Sequence, residues 1–313
     1  MRIYRIFLWR VCNMICEKID LYGDHRVMLY TYIQHWTTVA GHYPKRGGVV
    51  VLPGGAYLYH GTSEGEPVAA AFAAAGFNAY VLRYSIGKHA TFPNSAADVC
   101  LALKLIRQKA EEWGQDPDKL ALCGFSAGGH VAACVGTMWN RQDVLDASGC
   151  TGEEGKPNAL ILGYPCITVD VEGQGDMYSL LKGDRTLEEL RDIASAERWV
   201  GPHTPTVFLW NLYHDKMVPV EHGLKFMEAL ARADVPFECH TYMNGNHACA
   251  LATPASSLGD PVRENPHGAR WMTDCTQWLE QVFGTPALDV PQENMKSLAK
   301  VRAHLGIPAF KMN

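Results

Sequence analysis

The chain has 313 residues, 47% hydrophobic and 19% charged, enough apolar material for one large α/β domain or two small ones and too much for a disordered chain. Its formal net charge of -5 and pI ≈ 6.2 give no support for a nucleic-acid or membrane partner. The ten cysteines include no C-x-x-C pair, so a zinc ribbon or a thioredoxin-type motif is not indicated. Several cysteines fall in apolar strand or helix patterns, as small buried hydrophobes do, and a reducing, cytoplasmic setting is the simplest expectation.

In chain order, residues 1–16 carry Arg5 and Arg10 within an apolar stretch and are followed by no small-residue cleavage site, so they read as an N-terminal extension, with Met14 an alternative initiator. Residues 17–32 alternate around Ile19, Leu21, Val27, Leu29 and Tyr32, with a turn at Gly23-Asp24, which predicts an antiparallel edge hairpin. A polar loop over residues 34–46 leads into Val49-Val50-Val51-Leu52, a continuous β-branched run of the kind buried in parallel sheets. Then come an Ala-rich helix over 64–75, a strand over 77–84 and a long helix over 93–113, with Ala97, Leu101, Leu105 and Ile106 on one face.

Strands are predicted over 120–123, 159–162, 206–212 and 237–242, and helices over 220–233 and 270–283, the last placing Trp271 and Trp278 on one side. This alternation predicts an α/β fold, a doubly wound and mostly parallel sheet with helices on both faces. The rhythm breaks over residues 166–203, where short helical pieces predict a small insertion over the C-terminal edge of the sheet, the place for a lid or pocket wall. The domain is expected to span residues 17–284, with 285–313 a polar tail.

Chemistry concentrates at Gly124-Phe125-Ser126-Ala127-Gly128, between the strand at 120–123 and a run of small residues. Glycines on either side of a serine permit a sharp strand-to-helix turn with an exposed hydroxyl, and the first amides of the helix face any anion that forms there. A serine is a poor nucleophile without a base and a group to orient that base. Later strand ends offer Asp215, in the turn Asp215-Lys216-Met217-Val218-Pro219, and His247, in the loop Met243-Asn244-Gly245-Asn246-His247. Asp215 also fits a cap of the following helix. His214 and His240 compete with His247, but one is adjacent to Asp215 and the other lies within a strand, while His130 is expected to face away from the serine. The loop Pro53-Gly54-Gly55-Ala56-Tyr57, after the strand at 49–52, brings further amides to a strand end.

At these residues the chain resembles the α/β-hydrolase superfamily, and within it the bacterial acetyl and feruloyl esterases of the acetylxylan-esterase kind, often labelled "xylanase". The likeness rests on Pro53-Gly54-Gly55-Ala56-Tyr57, on Ser63-Glu64-Gly65-Glu66-Pro67-Val68-Ala69 and on Arg83-Tyr84. It continues through Gly124-Phe125-Ser126-Ala127-Gly128-Gly129-His130, Asp215-x-x-Val218-Pro219-Val220 and Gly245-Asn246-His247, and spans Ile19 to Phe283. The resemblance implies Ser126 as nucleophile, His247 as base, Asp215 as its orienter, and Gly55, Ala56 and Ala127 as oxyanion amides. Ala56 stands where the family more often has a third glycine, a change that keeps the N–H. The turn Asn211-Leu212-Tyr213-His214 is bulkier than is usual there, which bears on substrate preference.

The resulting expectation is a serine carboxylic-ester hydrolase working through an acyl-enzyme, with no metal and no organic cofactor. Its substrate would be a small-molecule ester, an acetylated oligosaccharide among the candidates, and Tyr57, Tyr59, Tyr164 and Trp210 are expected to border the pocket with the 166–203 insertion. An amidase of the kynurenine-formamidase type is the alternative on the same fold, and a non-catalytic binding protein the alternative from another class.

Overall fold

The computed structural model describes residues 14–34, 37–38, 41–42, 45–171, 175–284 and 303–306. The expectations for the N-terminal extension and the polar tail fall almost wholly outside them. The chain begins with β1 (Met14–Ile15), β2 (Lys18–Asp20) and β3 (Met28–Gln34), followed by a two-stranded ribbon, β4 (Thr37–Thr38) and β5 (Gly41–His42). The α/β alternation then runs β6 (Arg46–Leu52), α1 (Glu66–Ala74), β7 (Asn78–Arg83), α2 (Asn94–Gln108), β8 (Gln115–Phe125), α3 (Ala127–Met138), α4 (Gln142–Ser148) and β9 (Ala159–Gly163). After the insertion helices α5 (Gly175–Lys182) and α6 (Leu187–Ala194) come β10 (Thr206–Leu212), α7 (Glu221–Arg232), β11 (Phe237–Tyr242) and α8 (Trp271–Phe283).

The main sheet has the order β1-β3-β7-β6-β8-β9-β10-β11, with β2 also paired to β3. From β7 to β11 every pairing is parallel, and β3 joins β7 antiparallel. Alternate residues of each central strand feed two cores. Val50, Leu52, Leu120, Leu122, Leu160 and Leu162 face one, together with residues of α2, α3, α6 and α7. Val49, Val51, Ala121, Cys123, Ile161 and Phe208 face the other, closed by α1 and α8. A sheet covered on both faces needs continuous apolar strands, which is why β6 ends in the unbroken apolar run Val49-Val50-Val51-Leu52.

Strand order also places the site. The chain leaves β6 through α1 towards β7, then returns past β6 through α2 to β8, and from there proceeds the other way to β11. Connections therefore diverge between β6 and β8, and a crevice opens at the carboxyl ends of such a pair. The loop after β6 is Pro53-Gly54-Gly55 and the turn after β8 carries Ser126.

Some predicted boundaries shift. The helix expected over 93–113 ends at Gln108, because the chain turns so that the Gln115 N–H donates to the Ala110 carbonyl at 2.8 Å. Trp113 is apolar because it packs on Tyr80, with ring centroids 5.8 Å apart, and not because the helix continues. The buried stripe of α2 runs through Ala96, Val99, Cys100, Leu103 and Ile106, leaving Leu101 and Leu105 half-buried. Residues 62–64 form a separate helical turn ahead of α1, so Glu64 is not part of that helix. The nine described cysteines are free thiols, seven of them buried. No helix among the described residues is long and apolar enough to cross a membrane.

Candidate active site

Ser126 sits between the last residue of β8 and the first of α3 with φ 51° and ψ -120°, a conformation that costs a residue with a Cβ on the order of 1–3 kcal/mol. Its surroundings hold it there. The Ser126 N–H donates to the Gly163 carbonyl at 3.1 Å, while its own carbonyl accepts from the amides of His130 at 3.0 Å and Cys166 at 3.1 Å. The turn is tight enough to require glycine on both sides. A Cβ on Gly124 would lie 2.3 Å from the Gly128 carbonyl oxygen, and one on Gly128 would lie 2.1 Å from that of Leu52.

Asp215 follows β10 and is 8% exposed. Its two oxygens do different work. Oδ1 accepts the amides of Met217 at 2.8 Å and Val218 at 3.0 Å, capping the turn ahead of α7. Oδ2 lies 2.6 Å from His247 Nδ1. The capping reading and the orienting reading of Asp215 thus apply to different atoms of one carboxylate, although the cap serves the turn, and the residue preceding α7 is Val220. A carboxylate can only accept, so Nδ1 carries the proton and Nε2 presents a lone pair to the Ser126 hydroxyl at 2.8 Å. The side chains of His247 and Asp215 are 7% and 1% exposed, which keeps water from competing for this bond.

The competing histidines are elsewhere. His214 is exposed beside Tyr213, and His240 on β11 bonds Glu238 at 2.9 Å. His130 points away from the serine into the core, accepting the Tyr57 hydroxyl proton at 2.7 Å on Nδ1 and donating from Nε2 to the Ala194 carbonyl at 2.6 Å. Burial holds its pKa down to about 4, against the pull of the Ala194 carbonyl.

Two sets of amides converge near the serine. The Ala127 N–H is the first of α3 and has no carbonyl one turn back to donate to. In the loop after β6, Gly55 and Ala56 take positive φ, 128° and 54°, and their N–H groups have no acceptor among the described residues. The loop is folded back on itself, with the amides of Leu58 and Tyr59 both donating to the Gly55 carbonyl, at 2.9 and 3.2 Å.

A cavity of ≈ 330 Å³ lies over Ser126 and His247, with Gly55 and Ala56 on its wall and Tyr59, Met177, Met217, Val218, Leu258 and Arg263 around it. Of the four aromatic residues expected to border the pocket, Tyr59 does so. Tyr57, Tyr164 and Trp210 do not. They are 1%, 1% and 0% exposed and belong to the interior. Tyr57 is anchored to His130, Tyr164 donates to Glu64 Oε1 at 2.7 Å, and Trp210 stacks on Trp271 with ring centroids 5.2 Å apart. Tyr164 and Trp210 are sealed by α8 and the segment that follows His247, and Tyr57 lies in the core on the opposite face of the sheet. The 166–203 insertion supplies Met177 from α5 and Cys166, whose thiol burial pushes up to about 12 while a hydrogen bond with Ser126 pulls the other way.

The residue that sequence reasoning left without a role is Glu64. It borders the cavity, is 2% exposed, and carries its carboxyl among Gly54, Tyr164 and His247. An acidic residue near a helix start reads as solvated. The available signal was its place between Gly61 and Gly65 and close to the Gly54-Gly55 loop, where space for an inward side chain exists.

A doubly wound parallel sheet with a strained serine turn at its switch point and an acid and a histidine on later strand ends is the fold of an α/β hydrolase. Residues 42–230 match the BD-FAE family, and the chain belongs to that family. It is similar to endo-1,4-beta-xylanase B of Butyrivibrio fibrisolvens, 32% identical over 212 residues, 66% of this chain and 33% of that one. It is also similar to the acetylxylan esterase of Xylanibacter ruminicola, 26% identical over 217 residues, 67% of this chain and 42% of that one. The chain thus spans between a third and a half of the length of these curated relatives. Among solved structures it is similar to MGS-M1, an alpha/beta hydrolase enzyme from a Medee basin deep-sea metagenome library, at 28% identity and a TM-score of 0.71, covering 88% of this chain and 100% of that one.

Proposed function

We propose that the chain is a serine esterase that removes small acyl groups, acetyl first among them, from carbohydrate esters. The observation that carries this reading is the unbroken hydrogen-bonded line from Asp215 Oδ2 through His247 to Ser126 Oγ at the floor of the cavity. In the first step Ser126 Oγ attacks the ester carbonyl as its proton passes to His247 Nε2, and Asp215 steadies the imidazolium that results. The carbonyl oxygen becomes an oxyanion facing the amides of Ala127, Gly55 and Ala56, donors fixed before the reaction begins. Collapse expels the alcohol, which takes the proton from Nε2 and leaves Ser126 acylated. Water then enters, gives a proton to His247, and releases the acid as Ser126 recovers its own.

The cavity supports the choice of substrate. A volume of ≈ 330 Å³ shared between acyl and alcohol moieties suits a short acyl group, and Met177, Met217, Val218 and Leu258 offer it apolar walls. Tyr59 stands at the rim, 62% exposed, as a face on which a sugar ring can stack. The names of the two curated relatives, a xylanase and an acetylxylan esterase, point to the same polymer.

The test compares the wild type with Ser126→Ala on p-nitrophenyl acetate and on acetylated xylo-oligosaccharides. A loss of about 10⁴-fold or more in kcat is expected, and near-wild-type hydrolysis by the variant would overturn the assignment. Longer acyl esters and N-formylkynurenine serve as competitors: short sugar esters should be turned over fastest, and faster turnover of the amide would move the reading to an amidase.

A further inference from the structure

Glu64 takes no part in the hydrolytic steps, yet its carboxyl is buried beside them. Burying such a group is unfavourable unless it is well bonded, so its partners matter. Oε2 accepts the Gly54 N–H at 2.8 Å, fixing the Pro53–Gly54 peptide at the start of the loop. The Gly54 carbonyl in turn accepts from Gly61 at 2.9 Å, which closes the loop around the carboxyl. A Cβ on Gly54 or on Gly61 would lie 2.8 Å from Oε2, so both glycines make room for this side chain.

The other oxygen reaches the opposite half of the site. Oε1 accepts the Tyr164 hydroxyl at 2.7 Å, and that hydroxyl accepts the Ala250 N–H at 3.0 Å. Ala250 lies three residues past His247 in a stretch where Ala248, Ala250 and Ala252 all take positive φ, at 60°, 50° and 54°. Such a stretch persists only where its surroundings hold it. Tyr164 holds it from one side, and Trp271 Nε1 from the other by donating to the Ala250 carbonyl at 2.9 Å. The Tyr164 ring also meets the His247 ring edge to face, with centroids 4.9 Å apart and planes at 63°. Burial raises the Glu64 pKa, against the bonds from Tyr164 and Gly54 and the field of His247.

We propose that Glu64 is a positioning residue that holds the oxyanion loop and the His247 loop in register through its two carboxyl oxygens, one on Gly54 and one on Tyr164. This rests on the roles given to Ser126, His247 and the loop amides in the proposed mechanism. Glu64→Gln keeps the shape but replaces one accepting oxygen by a donating NH₂. With the Gln oxygen on the Gly54 N–H, the NH₂ faces the Tyr164 hydroxyl, which already accepts the Ala250 N–H, and the hydroxyl proton loses its acceptor. A small displacement of amides or imidazole acts on the transition state more than on substrate binding.

The experiment measures kcat and KM on p-nitrophenyl acetate, the rate of Ser126 labelling by a fluorophosphonate, and the downfield proton signal of His247 Nδ1 without substrate. E64Q is expected to lose about 10- to 100-fold in kcat and in labelling rate, with KM within about twofold, and to shift the His247 proton signal. Tyr164→Phe, which keeps the Gly54 bond and frees the Ala250 N–H, should shift that signal as well. The double variant should be no worse than the weaker single one within about threefold, because the two residues act along one line. A folded E64Q with kcat within about twofold of the wild type and an unmoved proton signal overturns the proposal, even where Ser126→Ala is inactive. Should E64Q not fold, the same null result in Tyr164→Phe overturns it. A wild type that neither turns over nor labels contradicts the esterase reading instead, and the proton signal still decides the role of Glu64.

Discussion

Replacing Asp215 by asparagine separates the two tasks that one carboxylate performs. Asn has one accepting oxygen and one donating amide. Two N–H groups, from Met217 and Val218, face Oδ1, and a single N–H, from His247, faces Oδ2. The lower-energy orientation places the Asn oxygen on the two turn amides and its NH₂ against His247 Nδ1. The imidazole must then accept at Nδ1 and carry its proton on Nε2, pointed at Ser126, which leaves no base for the hydroxyl. A triad held in that tautomer loses about 10⁴-fold in kcat, or about 5.5 kcal/mol of transition-state stabilisation at 1.36 kcal/mol per tenfold. The turn caps survive, so the melting temperature should move by only a few degrees. Initial rates on p-nitrophenyl acetate alongside a thermal melt give both quantities. A D215N protein with kcat within about tenfold of the wild type would contradict this division of labour between Oδ1 and Oδ2, and so would one that loses its fold along with its activity.

Further outcomes follow from what is buried. His130 and His222 are held neutral by burial, with pKa values lowered from 6.5 to about 4. The unfolded chain takes up protons at these positions from about pH 6.5 downward while the native state refuses them until about pH 4. The contribution of these two histidines to stability should therefore be full above pH 6.5 and be lost as the pH drops to 4, by up to about 3 kcal/mol for each. Urea melts at pH 7 and pH 4.5 test this, and His130→Gln should flatten part of the slope; a wild-type slope that this change leaves intact would contradict the assignment. Trp210→Ala should cost about 3–5 kcal/mol of stability, because the indole is wholly enclosed and stacked on Trp271. Tyr59→Ala should leave stability within about 0.5 kcal/mol and raise KM for sugar esters several-fold. An unchanged melt for Trp210→Ala would return it to the pocket wall, and an unchanged KM for Tyr59→Ala would remove that residue from it.

Much of the fold was legible in the sequence, and particular residues show why. Val49-Val50-Val51-Leu52 announces a strand covered on both faces, and the small residues around Ser126 announce a turn packed against backbone. Ser126, Asp215 and His247 could be named because each follows a strand in a sheet whose strand ends meet, although the contact between positions 126 and 247 is nowhere local. The pocket was less legible for the opposite reason. In β10 six of seven residues are buried, so alternation carries no information about which side of the sheet Trp210 faces. Tyr57 and Tyr164 lie in loops, and only partners distant in sequence, His130 and Glu64, draw them inside. Glu64 itself is the clearest case: its bond to Tyr164 spans 100 residues, and without it an acidic side chain in a Gly-rich turn reads as solvated. The end of α2 was overrun because Trp113 continues the apolar pattern for a reason of tertiary packing, its contact with Tyr80.

The central claim is that Ser126 becomes acylated during turnover. Mixing the protein with p-nitrophenyl acetate, quenching in acid within the first turnovers and mapping the digest by mass spectrometry tests it most directly. One acetyl group is expected on the peptide that carries Ser126, formed with the initial burst of p-nitrophenol and absent from Ser126→Ala. Steady p-nitrophenol release with Ser126 unmodified throughout, or with the acetyl group on another residue in amounts that keep pace with turnover, would contradict it.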